Sequence, residues 1–255
     1  MLPAKKIITF DIDGTLTVSK GPITDYVAYL VKELVKKKLV VLISGARFEQ
    51  FKTQFLPPFH DNDFLFSFGH NLILLPTSGS QIYQYDKTKK EWQLTDKEPL
   101  REDIKEKAKK LLKDIINSGL YDIPSNPTGE IVEDRDTQVT FSALGQQAPI
   151  ELKRLWDPDQ KKRQKIKAVL QPELPDASIL INAYSSIDIL PKGFNKAAGL
   201  LLFMNKNGFK KSDMVFVGDG LFPSGNDYSV YEAGIETIAV KGPEETAEII
   251  KKWLD

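Results

Sequence analysis

Two aspartates one residue apart, Asp11 and Asp13, are followed directly by Gly14 and preceded by the apolar run Ile7, Ile8 and Phe10. That run reads as a buried strand delivering two carboxylates to its C-terminal end, where the glycine turns the chain. Ligands of open parallel α/β sheets bind beyond the carboxyl ends of the strands, so an acidic pair there reads as a site. A solvated turn is the bland alternative for the pair taken alone. A second group follows the apolar run Leu39–Ile43, where Ser44-Gly45-Ala46-Arg47 places a hydroxyl at a strand end before a glycine. Such a hydroxyl can donate to an oxyanion or cap the next helix, and both roles coexist because a helix N-terminus itself attracts phosphate. A third group follows Met214–Val217: Gly218-Asp219 and then Gly225-Asn226-Asp227. These can converge with Asp11 and Asp13, and oxygen donors without sulfur or imidazole suit Mg²⁺. The fourth is Lys196, in Pro191-Lys192-Gly193-Phe194-Asn195-Lys196, whose ammonium at a helix start can neutralise a carboxylate nucleophile and a transferring phosphoryl group. Singly these residues are ordinary surface lysines and turn aspartates. Four groups in this order point to phosphate chemistry.

The elements that must position them are legible as patterns. Thr24–Lys38 carries Tyr26, Val27, Leu30, Val31, Leu34 and Val35 at helical spacing, so the first two strands and this helix predict a right-handed βαβ unit. Phe64–Phe68 reads as a third strand, and Asn71–Leu75 with Gln81–Tyr85 as a hairpin. The pattern then changes to a long amphipathic helix, 99–119, capped by Gly119, short segments at 130–134 and 137–144, a charged helix at 158–170, and strands at 178–182 and 186–190. Short strands interleaved with helices predict an antiparallel α+β unit rather than further βαβ repeats. The parallel pattern resumes at Asn195 with a helix, a strand at 214–217, a short helix near Tyr228, a strand at 237–240 and a final helix from Pro243. The expected organisation is a Rossmann-like parallel-sheet core, 1–92 and 189–255, interrupted by an inserted α+β cap at 93–188.

Composition narrows the partners. Lys plus Arg balances Asp plus Glu at 35 each, so no net field draws in nucleic acid or an anionic membrane. The five cations of Gln160–Lys167 read as a solvated helix face, without the interleaved aromatics of a nucleic-acid surface. With no cysteine, disulfides, thiolate metal sites and a cysteine nucleophile are excluded. His60 and His70 are too isolated for a histidine centre. Charges at Asp11 and Asp13 interrupt any leader-like apolar start, and no run approaches a membrane span. A cytoplasmic protein with a small phosphorylated ligand is expected.

The four groups, DIDGTLT, SGAR, the lysine loop and GDGLFPSGND, resemble in order the four motifs of the haloacid dehalogenase (HAD) superfamily. The chain looks closest to members with a cap between the second and third motifs, in the branch of eukaryotic-type phosphomannomutases and Cof-like sugar phosphatases. The loop GDGLFPSGNDY, the stretch Ser186-Ile187-Asp188-Ile189-Leu190-Pro191 before Gly193 and Lys196, and Glu133-Asp134-Arg135-Asp136 with Ser142 and Gly145 carry that likeness. The resemblance implies Asp11 as nucleophile and Asp13 as general acid and base. It implies Mg²⁺ on Asp11, Asp219 and the Asp13 carbonyl, supported by Asp227, with Ser44 donating to the phosphoryl oxygens. Arg47, Arg135, Ser186 and Asp188 would bind substrate, and Lys20 stands where the mutases have arginine. The chain departs from the mutases at Gln146, which replaces an arginine, and the next candidate downstream is Lys153. Glutamine and lysine lose the forked bidentate contact that arginine makes with phosphate. The expected activity is therefore a Mg²⁺-dependent phosphatase of small metabolites, with a phosphohexomutase second and a receiver-type aspartate switch third.

Overall fold

The computed structural model describes residues 3–18 and 21–255, so Lys20 lies outside the described residues. The chain forms two units, Met1–Lys97 with Lys196–Asp255, and Glu98–Asn195. The first unit contains strands β1 (Ile7–Asp11), β2 (Leu39–Ile43), β3 (Leu72–Leu75), β4 (Gln81–Asp86) and β5 (Glu91–Lys97) with helices α1 (Asp25–Val35), α2 (Phe48–Gln54) and α3 (Asn62–Phe68). The second unit holds α4 (Glu102–Asn117), β6 (Val132–Asp134), β7 (Val139–Ser142), α5 (Ile150–Trp156), α6 (Lys161–Glu173), β8 (Ala177–Asn182) and β9 (Ser186–Pro191). The first unit is completed by α7 (Lys196–Lys206), β10 (Met214–Gly218), α8 (Tyr228–Glu232), β11 (Glu236–Ala239) and α9 (Pro243–Leu254).

Seven strands of the first unit form one sheet in the order β11-β10-β1-β2-β3-β4-β5, parallel through β3 and antiparallel across β4 and β5. The central strands are apolar on both faces because helices cover both. Ile8, Phe10, Val40 and Leu42 face one cluster with Val27, Val31 and Leu34 of α1, while Ile7, Val41 and Ile43 face another with Leu200 and Phe203 of α7. Helix α1 starts where the Thr24 side chain accepts a hydrogen bond from the Val27 amide, satisfying a backbone donor left over at the helix start. The register sets the site. Phe10 lies opposite Val217 and Asp11 opposite Ile43, so the residues leaving β1, β2 and β10 emerge side by side at one edge of the sheet.

In the second unit an antiparallel sheet, β6-β7-β9-β8, alternates with period two. Val139, Phe141, Ile187 and Ile189 point into an apolar core with Leu112, Ile166 and Leu170, and Thr140, Ser142, Ser186 and Asp188 take the opposite face. Among helix contacts, Arg163 anchors α6 through the Asp157 carboxylate at 2.8 Å and through the backbone carbonyls of Asp157, Asn182 and Ala183.

Two expectations require correction. Phe64–Phe68 is part of helix α3, not a strand. The Asp61 carboxylate accepts from the amides of Asp63 and Phe64, capping a helix in which Phe64 and Phe68 pack one turn apart as a tilted pair with ring centroids 5.8 Å apart. A short apolar run fits either period, and the cap decides it. The third parallel strand is instead Leu72–Leu75. The cap boundaries expected after residues 92 and 188 fall inside β5 and β9, and each strand belongs whole to one unit because its pairing partners lie there.

Candidate active site

Beyond the ends of β1 and β10, Asp11, Asp219 and Asp227 bring carboxylate oxygens within 4.8 Å of one another. Lys196, the first residue of α7, donates to Asp11 Oδ1 at 2.6 Å and to Asp227 Oδ1 at 2.5 Å. The three side chains are 2%, 3% and 0% exposed. Asp227 also accepts from the Gly220 amide at 3.0 Å, which folds the 219–227 loop around its carboxylate. Asp219 sits at the solvent side of the cluster, where Thr15 Oγ1 donates to its carboxylate at 3.3 Å and accepts from its amide at 3.1 Å. Gly14 makes room for it: a Cβ there would stand 2.3 Å from Asp219 Oδ2, and φ is +85°. Two requirements therefore select glycine, close approach and a left-handed backbone.

The electrostatics follow from burial. Desolvation pushes the Asp11 carboxyl well above its ordinary value, with Lys196 opposing and Asp227 and Asp219 adding to the rise. Asp219 is raised by desolvation and by Asp227. Burial alone would pull the Lys196 ammonium down, but Asp11 and Asp227 outweigh it and hold the charge on. Three carboxylates facing one ammonium leave an excess of negative charge that a hard divalent cation would balance, and the donor set is all oxygen.

Asp13 is placed differently. Its carboxylate is not part of the acidic cluster but accepts from Gln54 Nε2 at 2.9 Å, and the same amide reaches Thr17 Oγ1 at 2.9 Å. Gln50 in turn donates to Gln54 Oε1 at 3.0 Å, so α2 holds the β1 turn through a chain of side chains. Ser44 follows Ile43, the residue paired with Asp11, and its Oγ accepts from the Ala46 amide at 3.1 Å. A hydroxyl that accepts there retains its O–H for donation. Arg47 is exposed at the start of α2.

The remaining candidates belong to the second unit. Arg135 donates through Nε and Nη2 to Glu133 Oε2, each at 2.7 Å. Asp188 accepts from Thr140 at 2.8 Å and from Asn182 at 2.7 Å, and Ser186 stands two residues away on the same polar face. Lys153 is buried and donates to the backbone carbonyl of Gln146 at 2.8 Å. Sequence reasoning missed Thr15, Gln54, Glu133, Thr140 and Asn182. Thr15 and Glu133 had a signal in their places within DIDGTLT and the stretch 133–136, whereas Gln54, Thr140 and Asn182 show themselves only through contacts.

The profile of haloacid dehalogenase-like hydrolases matches residues 8–242. The chain belongs to that family, and it is an enzyme of phosphate hydrolysis or phosphoryl transfer. Among curated relatives it is 26% identical over 250 residues to the phosphomannomutase of Encephalitozoon cuniculi, covering 95% of this chain and 91% of that one. It is 27% identical over 252 residues to the phosphomannomutase of Saccharomyces cerevisiae, covering 96% and 92%. Among solved structures, the IMP-nucleotidase of Plasmodium falciparum superposes with a TM-score of 0.71 at 17% identity, over 98% of this chain and 70% of that one. A haloacid dehalogenase-like hydrolase from Bacteroides thetaiotaomicron superposes with a TM-score of 0.63 at 15% identity, over 97% and 99%. The structural matches bear on the fold, and there they agree with the expected core and inserted unit. The curated relatives favour the mutase over the phosphatase that the sequence placed first. Membership of an enzyme family sets aside the receiver-type switch.

Proposed function

We propose that this chain is a Mg²⁺-dependent phosphotransferase of small sugar phosphates that moves a phosphoryl group between positions of a hexose phosphate through Asp11. The observation that carries the reading is the Lys196 ammonium held between Asp11 and Asp227 beside Asp219. That geometry opposes the rise that burial imposes on the Asp11 carboxyl and supplies positive charge where a phosphoryl group would arrive. The Asp11 carboxylate attacks phosphorus, the bond from phosphorus to the sugar oxygen breaks, and an aspartyl phosphate forms. Asp13 gives a proton to the leaving sugar oxygen and later takes one from the attacking hydroxyl, which restores both residues. The amide of Gln54 orients that acid and base. Ser44 donates to a phosphoryl oxygen. The carboxylates of Asp11, Asp219 and Asp227, with the Asp13 backbone carbonyl, would hold Mg²⁺, which supplies charge neutralisation on the transferring group. Arg47, Arg135, Ser186 and Asp188 contact the rest of the substrate in this proposal.

Hydrolysis remains a second reading because of one observation. Gln146 carries no charge, and the Lys153 ammonium is buried against the Gln146 carbonyl, so the distal phosphate lacks an arginine fork at these positions. Product analysis separates the readings: the protein is incubated with Mg²⁺ and a hexose 1-phosphate, with and without hexose 1,6-bisphosphate. Interconversion to the 6-phosphate with little inorganic phosphate supports the mutase. Phosphate release without interconversion supports the second reading, and the absence of both products and of a phosphoenzyme overturns the two together.

A further inference from the structure

One buried turn touches the backbone of both the Ser44 loop and the Lys196 helix. Thr77, Ser78 and Gly79 all have left-handed backbones, at φ values of 50°, 57° and 83°. For a β-branched residue such as Thr77 this is an outlier, and strain of that kind persists only where the surroundings over-determine it. Here they do. The Thr77 amide donates to the Ala46 carbonyl and the Ser78 amide to the Ser44 carbonyl, each at 2.8 Å. Ser80 Oγ locks the turn from inside, at 2.7 Å from the Thr77 carbonyl and 2.8 Å from Thr77 Oγ1. On its other side the turn lies directly on Gly199 of α7. A Cβ at Gly199 would stand 2.4 Å from the Ser78 carbonyl oxygen and 2.7 Å from Gly79 Cα, and a Cβ at Gly79 would stand 2.8 Å from Gly199 Cα.

Gly199 is three residues, about one helical turn, after Lys196. We propose that the Thr77–Gly79 turn and Gly199 form a positioning device that sets the Lys196 ammonium and the Ser44 hydroxyl in register with each other. The contact is backbone on backbone, so no side chain can yield when the fit is disturbed. A displacement of α7 away from the turn moves Lys196 relative to Asp11, and a rotation of the turn moves the Ser44 carbonyl bonded to it. The inference rests on the phosphoryl-transfer reading above, in which these two groups face one phosphoryl oxygen cluster.

The test compares Gly199→Ala, Ser80→Ala and Leu201→Ala with the wild type. The probe is p-nitrophenyl phosphate with Mg²⁺, an aryl phosphate that needs no sugar recognition, and the readout is the burst rate constant of nitrophenolate release. A rate constant does not depend on how much enzyme is folded, so a merely structural role moves the burst amplitude instead. Misplacement by 1 Å can cost about 100-fold in rate, so Gly199→Ala is expected to slow the burst at least about 10-fold with KM changed less than about 3-fold. Ser80→Ala loosens the turn without adding bulk and should slow the burst about 3- to 10-fold on the same reasoning. Leu201→Ala, on the same helix but away from the turn, should lower the melting temperature and leave the rate constant unchanged. Should Gly199→Ala fail to fold, Ser80→Ala decides. Wild-type rate constants in the folded variants, or losses matched by Leu201→Ala, overturn the proposal while leaving the phosphoryl-transfer reading standing. A wild type that shows no nitrophenolate release and no phosphoenzyme overturns that reading and this inference with it.

Discussion

Lys196 is the residue on which the charge balance of the site turns. It faces Asp11 and Asp227, so the two kinds of substitution have opposite consequences. Asp11→Asn removes one negative charge from a cluster with an excess of them, and is expected to abolish phosphoenzyme formation while leaving the melting temperature near that of the wild type. Lys196→Met strands two buried carboxylates, and stranding a buried charge costs about 3–5 kcal/mol. Thermal melts of the two variants in chelator should therefore separate clearly; an equal loss in both would show that the ammonium does not compensate the pair. The raised carboxyls make a further statement about pH. Asp11 and Asp219 lie above the unfolded value of 3.8, so at these two groups the native metal-free protein binds more protons than the unfolded chain, and their contribution to stability falls as pH rises through the raised values. Mg²⁺ requires the ionised forms and should reverse the trend, adding about 2.7 kcal/mol at a concentration 100 times its Kd, and less as pH falls. Urea melts from pH 4 to 8 (chosen to bracket the window), with Mg²⁺ and with chelator, check the sign: a metal-free stability that climbs with pH would contradict it.

At the scale of elements, the site depends on where three parallel strands stop and on turns that only small residues can make. The β1 turn is the clearest case. Gly14 lets Asp219 approach, and Thr15 holds that carboxylate from the same turn. Gly14→Ala imposes both a left-handed alanine and a contact of 2.3 Å with Asp219, so it should destabilise the fold by about 1–3 kcal/mol, the range for residues forced into sparsely populated backbone regions. It should also raise the Mg²⁺ concentration needed for half-maximal stabilisation, because Asp219 must move. Calorimetric titration of Mg²⁺ into the variant measures this, and an unchanged affinity would mean that Asp219 is not a ligand.

At the scale of the whole molecule, the chain folds into two units with separate cores, and the proposed function assigns chemistry to the first and recognition to the second. The first carries the acidic cluster, and the second presents a sheet whose polar face is held rigid by the Thr140–Asp188–Asn182 chain and the Arg135–Glu133 pair. Arg135→Ala is expected to reduce turnover of a hexose phosphate at least about 10-fold, the scale of one lost charge-assisted contact, while sparing an aryl phosphate. Equal losses on both substrates would place Arg135 in the chemistry itself. Gln146→Arg with Lys153→Arg should tighten hexose bisphosphate binding and lower the ratio of phosphate release to interconversion, because a guanidinium fork holds phosphate in a fixed orientation. Isothermal titration and product ratios measure the two effects.

How much of this was legible in the sequence depends on distance along the chain. DIDGTLT and SGAR are each a strand end plus a turn, and apolar runs, glycines and carboxylates a few residues apart declare such units locally. Hence the parallel core, its inserted α+β unit and the acidic strand ends were all readable. Helix α3 was not, because the four apolar or aromatic residues of 64–68 satisfy both periods, and an aspartate cap outside the run settles the choice. The rest of the site is made of contacts that no local pattern encodes: Lys196 on Asp11 across 185 residues, Thr15 on Asp219 across 204, and Gln54 on Asp13 across 41. By itself the sequence determined which chemical groups stand at the ends of which strands. Only the tertiary structure decided which of them share charge and which are held apart. Strand register and the Gly79–Gly199 approach set those distances, and at 2.5 to 3 Å in a desolvated site distance governs both protonation and reach.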